Sequence, residues 1–276
     1  MTLVSVLLLL AGGLGAGIVN TMAGGGSLLT VPLLVLAGVP GTVANGSNRV
    51  GILTSTATAT IGFRRLGYSG LSRALPVLVP VAVGAVIGAV LVGQLTDEAF
   101  ERAFGFLMVP LLLISLRPPR VSASSSGPTW SGPVSAIVFL GIGIYGGAFQ
   151  AGIGLLLVLA LSRSGVDLVL ANSIKVMVVL AVTVMALPVF VIGGSVDWGP
   201  ALVLAVGYAV GGFLGARVTV TGGEKVIRPV LVVVVLGFAG RLVGLYWGSA
   251  GGSWGVGGST TPDGPGCPCP CARHPA

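Results

Sequence analysis

The sequence predicts an all-α polytopic membrane protein built from two inverted-topology repeats with broken or re-entrant helices. The composition is the first reason: 54% of the 276 residues are hydrophobic, only 8% are charged, and the mean hydropathy is +1.05. Soluble domains do not have such a composition. The second reason is that several apolar runs exceed the roughly 18 residues of a membrane-spanning helix. The third is a glycine-rich pattern that occurs twice, half a chain apart.

The apolar runs predict about 8–10 helical segments. They are residues 2–22, 28–37, 43–63, 71–94, 99–116, 133–150, 154–162, 168–193, 198–219 and 226–247. The segments 28–37 and 154–162 measure only about 15 Å at 1.5 Å per residue, half of a ~30 Å hydrocarbon core. Each is therefore expected to be the second arm of a broken hairpin. Three crossings plus a re-entrant hairpin in each half, or five crossings, both fit the pattern.

The internal repeat relates the two halves of the chain. Gly15 to Gly26 matches Gly143 to Gly154 at an offset of 128, and Ala44-Asn45 matches Ala171-Asn172 at 127. The repeat gives four regions: a first transmembrane repeat (1–116), a cytoplasmic linker (117–132), a second repeat (133–248) and a terminal tail (249–276). Ordered polar pairs in near-constant register favour duplication over a chance match of apolar sequences.

The distribution of basic residues predicts the orientation. Lys and Arg mark cytoplasmic loops, and the 64–73 loop and the linker both carry arginines. The equivalent loop of the second half, near 194–199, carries only Asp197, so equivalent loops face opposite sides. This is the pattern of an inverted repeat, as in many secondary transporters. We expect a multi-pass protein of the cell membrane.

The remaining composition argues against other classes of protein. The net charge of +7 comes from basic residues at the ends of apolar runs, so nucleic-acid binding is not predicted. Cys267, Cys269 and Cys271 lie in the Gly/Pro-rich tail, which we expect to be disordered, and their spacing suits a tetrahedral metal site poorly. The single histidine, His274, lies in the same tail, and no P-loop or catalytic triad is present. We therefore predict no enzyme, no cofactor and no metal.

Glycines at the two breaks are the first candidates for a binding site. Gly24, Gly25, Gly26 and Ser27 mark the first break, and Gly152-Ile153-Gly154 marks the second. A helix that starts after such a break presents free N–H groups and the positive end of its dipole, which together bind anions. The alternative is close packing of two helices, which glycine also permits.

Polar side chains in apolar segments complete the candidate site. Asn45 and Asn172 could orient an anion from two sides or act as helix N-caps. Arg49 and Lys175 follow them by three or four residues and could offset the anion's charge, or snorkel to the headgroups. Gln150 could hydrogen-bond the substrate or cap the broken helix.

The duplicated pattern resembles the sulfite exporter TauE/SafE family. The resembling stretches are Gly17 to Pro32, Ala44 to Ser47, Gly152 to Gly154 and Ala171 to Ser173. The resemblance implies transport of sulfite or another small sulfur-containing anion, such as an organosulfonate, usually by export. Alternating access is the expected mechanism, with a passive anion channel and a non-transporting scaffold subunit as alternatives. The expected partners are the anion and the lipid bilayer; a coupling ion or proton and a homo-oligomer stay open.

Overall fold

The structure, a computed structural model, describes residues 3–36, 38–116, 132–162 and 168–222. Over these ranges the chain is all-helical, with no strand. The helices are α1 (Leu3–Ala23), α2 (Ser27–Leu36), α3 (Gly41–Arg65), α4 (Leu71–Val92), α5 (Asp97–Leu116), α6 (Gly132–Ala148), α7 (Ile153–Ser162), α8 (Leu168–Ile192) and α9 (Trp198–Val220). The predicted all-α class is confirmed, and these nine helices match nine of the predicted segments.

Some predictions lie outside the described residues. They concern the last helix (226–247), the tail (249–276) and the linker, except for Gly132, which is the first residue of α6. All described residues belong to one compact unit, Met1–Gly237.

Four helices of the described part are long and apolar enough to cross a bilayer: Leu3–Ala23, Ala74–Val92, Val169–Ile192 and Trp198–Val220. Large apolar side chains on several helices point outward, such as Val79 (70% exposed) on α4 and Ile192 (87% exposed) on α8. Such surfaces are typical of helices surrounded by lipid. The protein therefore crosses the membrane more than once.

Glycines hold the helices of the two halves against each other. A Cβ added to Gly17 of α1 would lie 3.1 Å from Gly211 Cα of α9, and one added to Gly84 of α4 would lie 3.0 Å from Gly143 Cα of α6. Only small residues let two helix backbones approach so closely. Thus α1 of the first half packs in parallel against α9 of the second, and α6 of the second half packs in parallel against α4 of the first.

These two helix pairs use matching contacts. Gly211 packs against Leu14, Gly17 and Ile18, and Gly84 packs against Leu140, Gly143 and Ile144. If Gly84 is paired with Gly211, these contacts relate α1 to α6 by an offset of 126. The positive-φ glycines at the breaks, Gly24 and Gly152, are 128 residues apart. Glycine-rich helical sequences align in several registers, whereas packing requires one particular face of the helix.

The helices α3 and α8 run antiparallel to each other. Near the start of α3, Arg49 lies over the ring of Phe190, which is near the end of α8. Towards the end of α3, Phe63 shares a buried cluster with Val176, near the start of α8. Both helices have 25 residues, or about 37 Å, enough to cross the bilayer in opposite directions.

The short helix α2 folds back along α1. Gly26, just before α2, lies against Ala16 and Asn20 of α1, and seven residues later Leu33 reaches Gly12. The ten residues of α2 extend about 15 Å. Helices α1 and α2 therefore form the hairpin expected from the glycine break.

Candidate functional site

The breaks of the two halves meet in the protein interior. Gly24, between α1 and α2, has a φ of +78°, which favours glycine. A Cβ added to Gly24 would overlap the backbone of Gly154, at the start of α7, and one added to Gly154 would overlap Gly24. The two breaks are therefore in direct backbone contact.

Both helix starts present unpaired backbone N–H groups. Among the described residues no acceptor pairs with the N–H groups of Gly25, Gly26 and Ser27 before α2, or with those of Gly152 and Gly154 before α7. All five residues are buried. Because free N–H groups and the positive helix dipole both favour negative charge, each start is suited to an anion.

Arg49 caps the broken helix of the opposite half. It is fully buried on α3, and its guanidinium donates to the carbonyl oxygens of Gly146 (3.3 Å), Gly147 and Ala148 (3.1 Å), the last turn of α6. It also donates to Gln150 Oε1 (2.5 Å). The orphan carbonyls of a helix C-terminus and its negative dipole end are thus satisfied by one cation.

Lys175, in the second half, caps the C-terminus of α1, the broken helix of the first half. It is 1% exposed on α8, and its Nζ donates to Thr21 O (2.6 Å) and Asn20 O (3.3 Å) in the last turn of α1. Its third acceptor is Asn172 Oδ1 (2.7 Å). Each half thus places a cation on the broken helix of the other half. Snorkelling to the headgroups does not describe either cation, because both are buried on interior carbonyls.

No carboxylate of the described part forms an ion pair with either of these two cations. The acids that the structure describes are all exposed: Asp97, Glu98, Glu101 and Asp197. Within the described ranges the one ion pair joins Arg102 to Glu98 at the surface (2.5 Å). Within the described ranges, the partners of Arg49 and Lys175 are neutral oxygens and, for Arg49, also the Phe190 ring, 4.3 Å from the guanidinium carbon. Buried charge without a counter-ion is costly in a low-dielectric interior.

The two asparagines lie inside their helices. Asn45 is in the second turn of α3 and Asn172 in the second turn of α8, so neither is the N-cap that the sequence offered as an alternative. Asn45 Nδ2 donates to Ala148 O (2.8 Å), beside Arg49. The Oδ1 of Asn45 has no hydrogen-bond partner within the described residues, although it is buried. Each asparagine therefore accompanies a cation at a helix end.

Gln150 has an unusual backbone for its residue type. Its φ is +60°, the only positive φ of a non-glycine residue in the described part of the chain. Its side chain is buried between Arg49 and Thr183, with Nε2 2.6 Å from Thr183 Oγ1. Residues held in such conformations cluster at functional sites.

A second polar cluster was not predicted from the sequence. Thr30 Oγ1, Asn48 Oδ1 and Tyr208 OH lie within 2.5 to 3.1 Å of one another, and Thr30 also donates to Gly26 O (3.2 Å). This cluster connects α2, α3 and α9, and through Gly26 it contacts the first break. Asn48 Nδ2 and Arg49 Nε are buried without partners among the described residues. In the sequence, the members of this cluster are marked only as polar residues within apolar segments.

All the predicted site residues are buried, and the structure gathers them at the two breaks. Gly24, Gly154, Lys175 and Asn172 lie at one helix end, and Arg49, Gln150 and Asn45 lie at the other. The described side chains offer an anion mainly hydrogen-bond donors. They contain no group of three or more His, Cys, Asp or Glu able to hold a metal.

The fold and this buried polar centre define a multi-pass membrane protein with broken helices at its core. The chain belongs to the sulfite exporter TauE/SafE family, whose model matches residues 9–242. It is thus a member of a family of membrane transporters.

Three relatives support this assignment. The chain is 28% identical to "Probable membrane transporter protein ORF9" of Sinorhizobium sp, over 83% of this chain and 88% of that protein. It is 28% identical to "Probable membrane transporter protein YfcA" of Escherichia coli K12, over 83% and 86%. It is 26% identical to "Probable membrane transporter protein" of Haemophilus influenzae, over 84% and 91%. No solved structure matches the chain.

Proposed function

We propose that this chain is a secondary transporter that moves a small sulfur oxyanion, sulfite or an organosulfonate, out of the cell by alternating access. The observation that carries the proposal is the pair of buried cations, Arg49 and Lys175, neither of which forms an ion pair within the described part. A bound anion would offset a charge whose burial costs several kcal/mol.

The donors around the breaks suit an oxyanion. Free N–H groups precede α2 and α7, and Gly24 and Gly154 hold the two helix starts together. Several oxygens of one anion can accept from two helix N-termini at the same time, as at other phosphate and sulfate sites. The arrangement itself supports an oxyanion; the sulfur chemistry and the outward direction rest on the family to which the chain belongs.

The relation between the halves supports alternating access. Lys175 is seven residues into α8 and Arg49 eight residues into α3, roughly 10–12 Å along each helix. Because α3 and α8 are antiparallel, the cations approach the bilayer centre from opposite sides. The helix exchange between halves and the matching glycine contacts support an inverted repeat with its site at the repeat interface, the arrangement in which one half rocks against the other.

The proposal is tested with the purified protein in liposomes. Uptake of labelled sulfite and of methanesulfonate is measured, first down a gradient and then against unlabelled anion inside. A carrier accelerates exchange of labelled for unlabelled anion, whereas flux without such counterflow would indicate a channel. Absence of flux for both anions would overturn transport and favour a scaffold subunit.

A double variant tests the assignment of the anion site to the two breaks. Asn45→Ala together with Asn172→Ala is expected to lower flux at least about tenfold, because Asn172 accepts from Lys175 and Asn45 donates to the Ala148 carbonyl that Arg49 also binds. A matched control is Thr219→Ala, whose hydroxyl bonds only the carbonyl of Gly215 in its own helix. Wild-type flux in the double variant would refute the assigned site.

A further inference from the structure

The two buried cations differ in one chemical property. An arginine keeps its charge in proteins, whereas a buried lysine can release its proton. Arg49 uses its planar fork on the carbonyls of α6 and on Gln150. Lys175 holds three oxygens with a group that can exist with or without charge. The second half thus has a titratable cation where the first half has a permanent one.

In the described part of the chain, the amine of Lys175 is hydrogen-bonded to neutral groups and forms no ion pair. Its three acceptors are the neutral oxygens of Thr21, Asn20 and Asn172. Of the helices packed against α8, α1 and α7 contain no titratable residue. The titratable or charged residues of the other three are Tyr145 on α6, Arg49, Arg64 and Arg65 on α3, and Arg73 on α4. None of these is a carboxylate.

Lys175 also lies directly against the second break. A Cβ added to Gly154 would be 3.1 Å from Lys175 Cδ. The free N–H groups of Gly152 and Gly154 are at this same helix start. An anion bound there would place a negative charge beside the lysine, so its binding would favour the protonated amine.

We propose that Lys175 carries one proton across the membrane with each anion. The inference rests on the transport function proposed above. Because an anion favours the charged amine, the charged amine favours the anion by the same free energy. On the loading side the lone pair of Nζ takes a proton from water as the anion binds. On the releasing side the N–H bond breaks, the proton returns to water and the anion leaves, so the protein is unchanged.

The test uses methanesulfonate, because this anion carries no proton of its own in the working pH range. Liposomes containing the full chain, a pH-sensitive dye and weak buffer receive an inward methanesulfonate gradient. We expect the interior to acidify by about one proton per anion, and the flux to be insensitive to a potassium ionophore because no net charge moves. Anion entry without acidification, accelerated by the ionophore, would overturn the coupling.

Substitution separates the lysine from other proton paths. In Lys175→Arg the charge is permanent, so any remaining flux is expected to lose acidification at least about tenfold and to become ionophore-dependent. Arg64→Lys, an exposed change at the end of α3, is the control and should keep the wild-type proton ratio. A Lys175→Arg variant that still acidifies the lumen would refute the role of Lys175.

One further measurement, together with the flux assay described above, distinguishes failure of proton coupling from failure of transport. If Lys175→Arg does not fold, proton uptake on adding methanesulfonate to the wild-type protein in weakly buffered detergent decides the matter: uptake supports the coupling and no uptake overturns it. Failure of the proposed function would appear differently, as absence of flux for sulfite and methanesulfonate alike.

Discussion

The contact between Gly24 and Gly154 allows a quantitative prediction. In Gly24→Ala, the φ of +78° costs an alanine about 1–2 kcal/mol. The new Cβ would overlap the backbone of Gly154, which cannot move aside as a flexible side chain could. Overpacking of this kind costs roughly 1–3 kcal/mol. The two effects together predict a loss of about 2–5 kcal/mol.

Thermal unfolding of the purified protein in detergent measures this loss. For a chain of this size, about 2–4 °C per kcal/mol gives a fall in Tm of roughly 4–20 °C. Gly25→Ala is the matched control, because its Cβ would meet only side-chain atoms at ordinary distances, Leu28 Cδ1 at 3.5 Å and Val19 Cγ1 at 4.0 Å, and its φ is not positive. Equal Tm values for the two variants would refute the backbone contact between the breaks.

Three further substitutions test other parts of the structure. Gln150→Gly relieves the φ of +60° but removes the hydrogen bonds to Arg49 and Thr183, two effects of about 1–2 kcal/mol each in opposite directions, so Tm should change little while flux falls; a large fall in both would contradict this interpretation. Gly88→Leu would force a side chain into the carbonyl of Ile144 and should cost more than about 2 kcal/mol, whereas Gly141→Leu, with nothing within 4 Å, should be tolerated in lipid. Arg49→Lys keeps the charge but loses the fork, so the KM for sulfite should rise about tenfold or more with a smaller change in Tm; an unchanged KM would remove Arg49 from the site.

The local features of the fold could be predicted from the sequence. Glycine runs within apolar segments mark the breaks, since glycine releases the backbone from helix, and the breaks occur between α1 and α2 and between α6 and α7. Gly84 with Gly88, and Gly211 with Gly215, are glycine pairs four residues apart, a sequence pattern typical of close helix packing, and each of the four lies against the backbone of a neighbouring helix. Asn45, Asn172, Arg49 and Lys175 stood out because polar groups at membrane depth need partners.

The partners themselves could not be predicted. Arg49 binds carbonyls 97 to 99 residues away, and an orphan carbonyl leaves no mark in the sequence because every residue has one. The cluster of Thr30, Asn48 and Tyr208 depends on three helices meeting. From the sequence alone, Tyr208 in an apolar helix does not indicate which polar groups its hydroxyl contacts.

The exchange of helices between the halves affects how the protein is made. The glycine face of α1 packs on α9, which the ribosome synthesises last among the described helices. At roughly 5–20 residues per second, this face waits many seconds in the bilayer before its partner emerges. Neither half can complete its packing alone, so newly inserted chains depend on synthesis reaching α9. Truncation before α9 should therefore expose α1 to quality-control proteases.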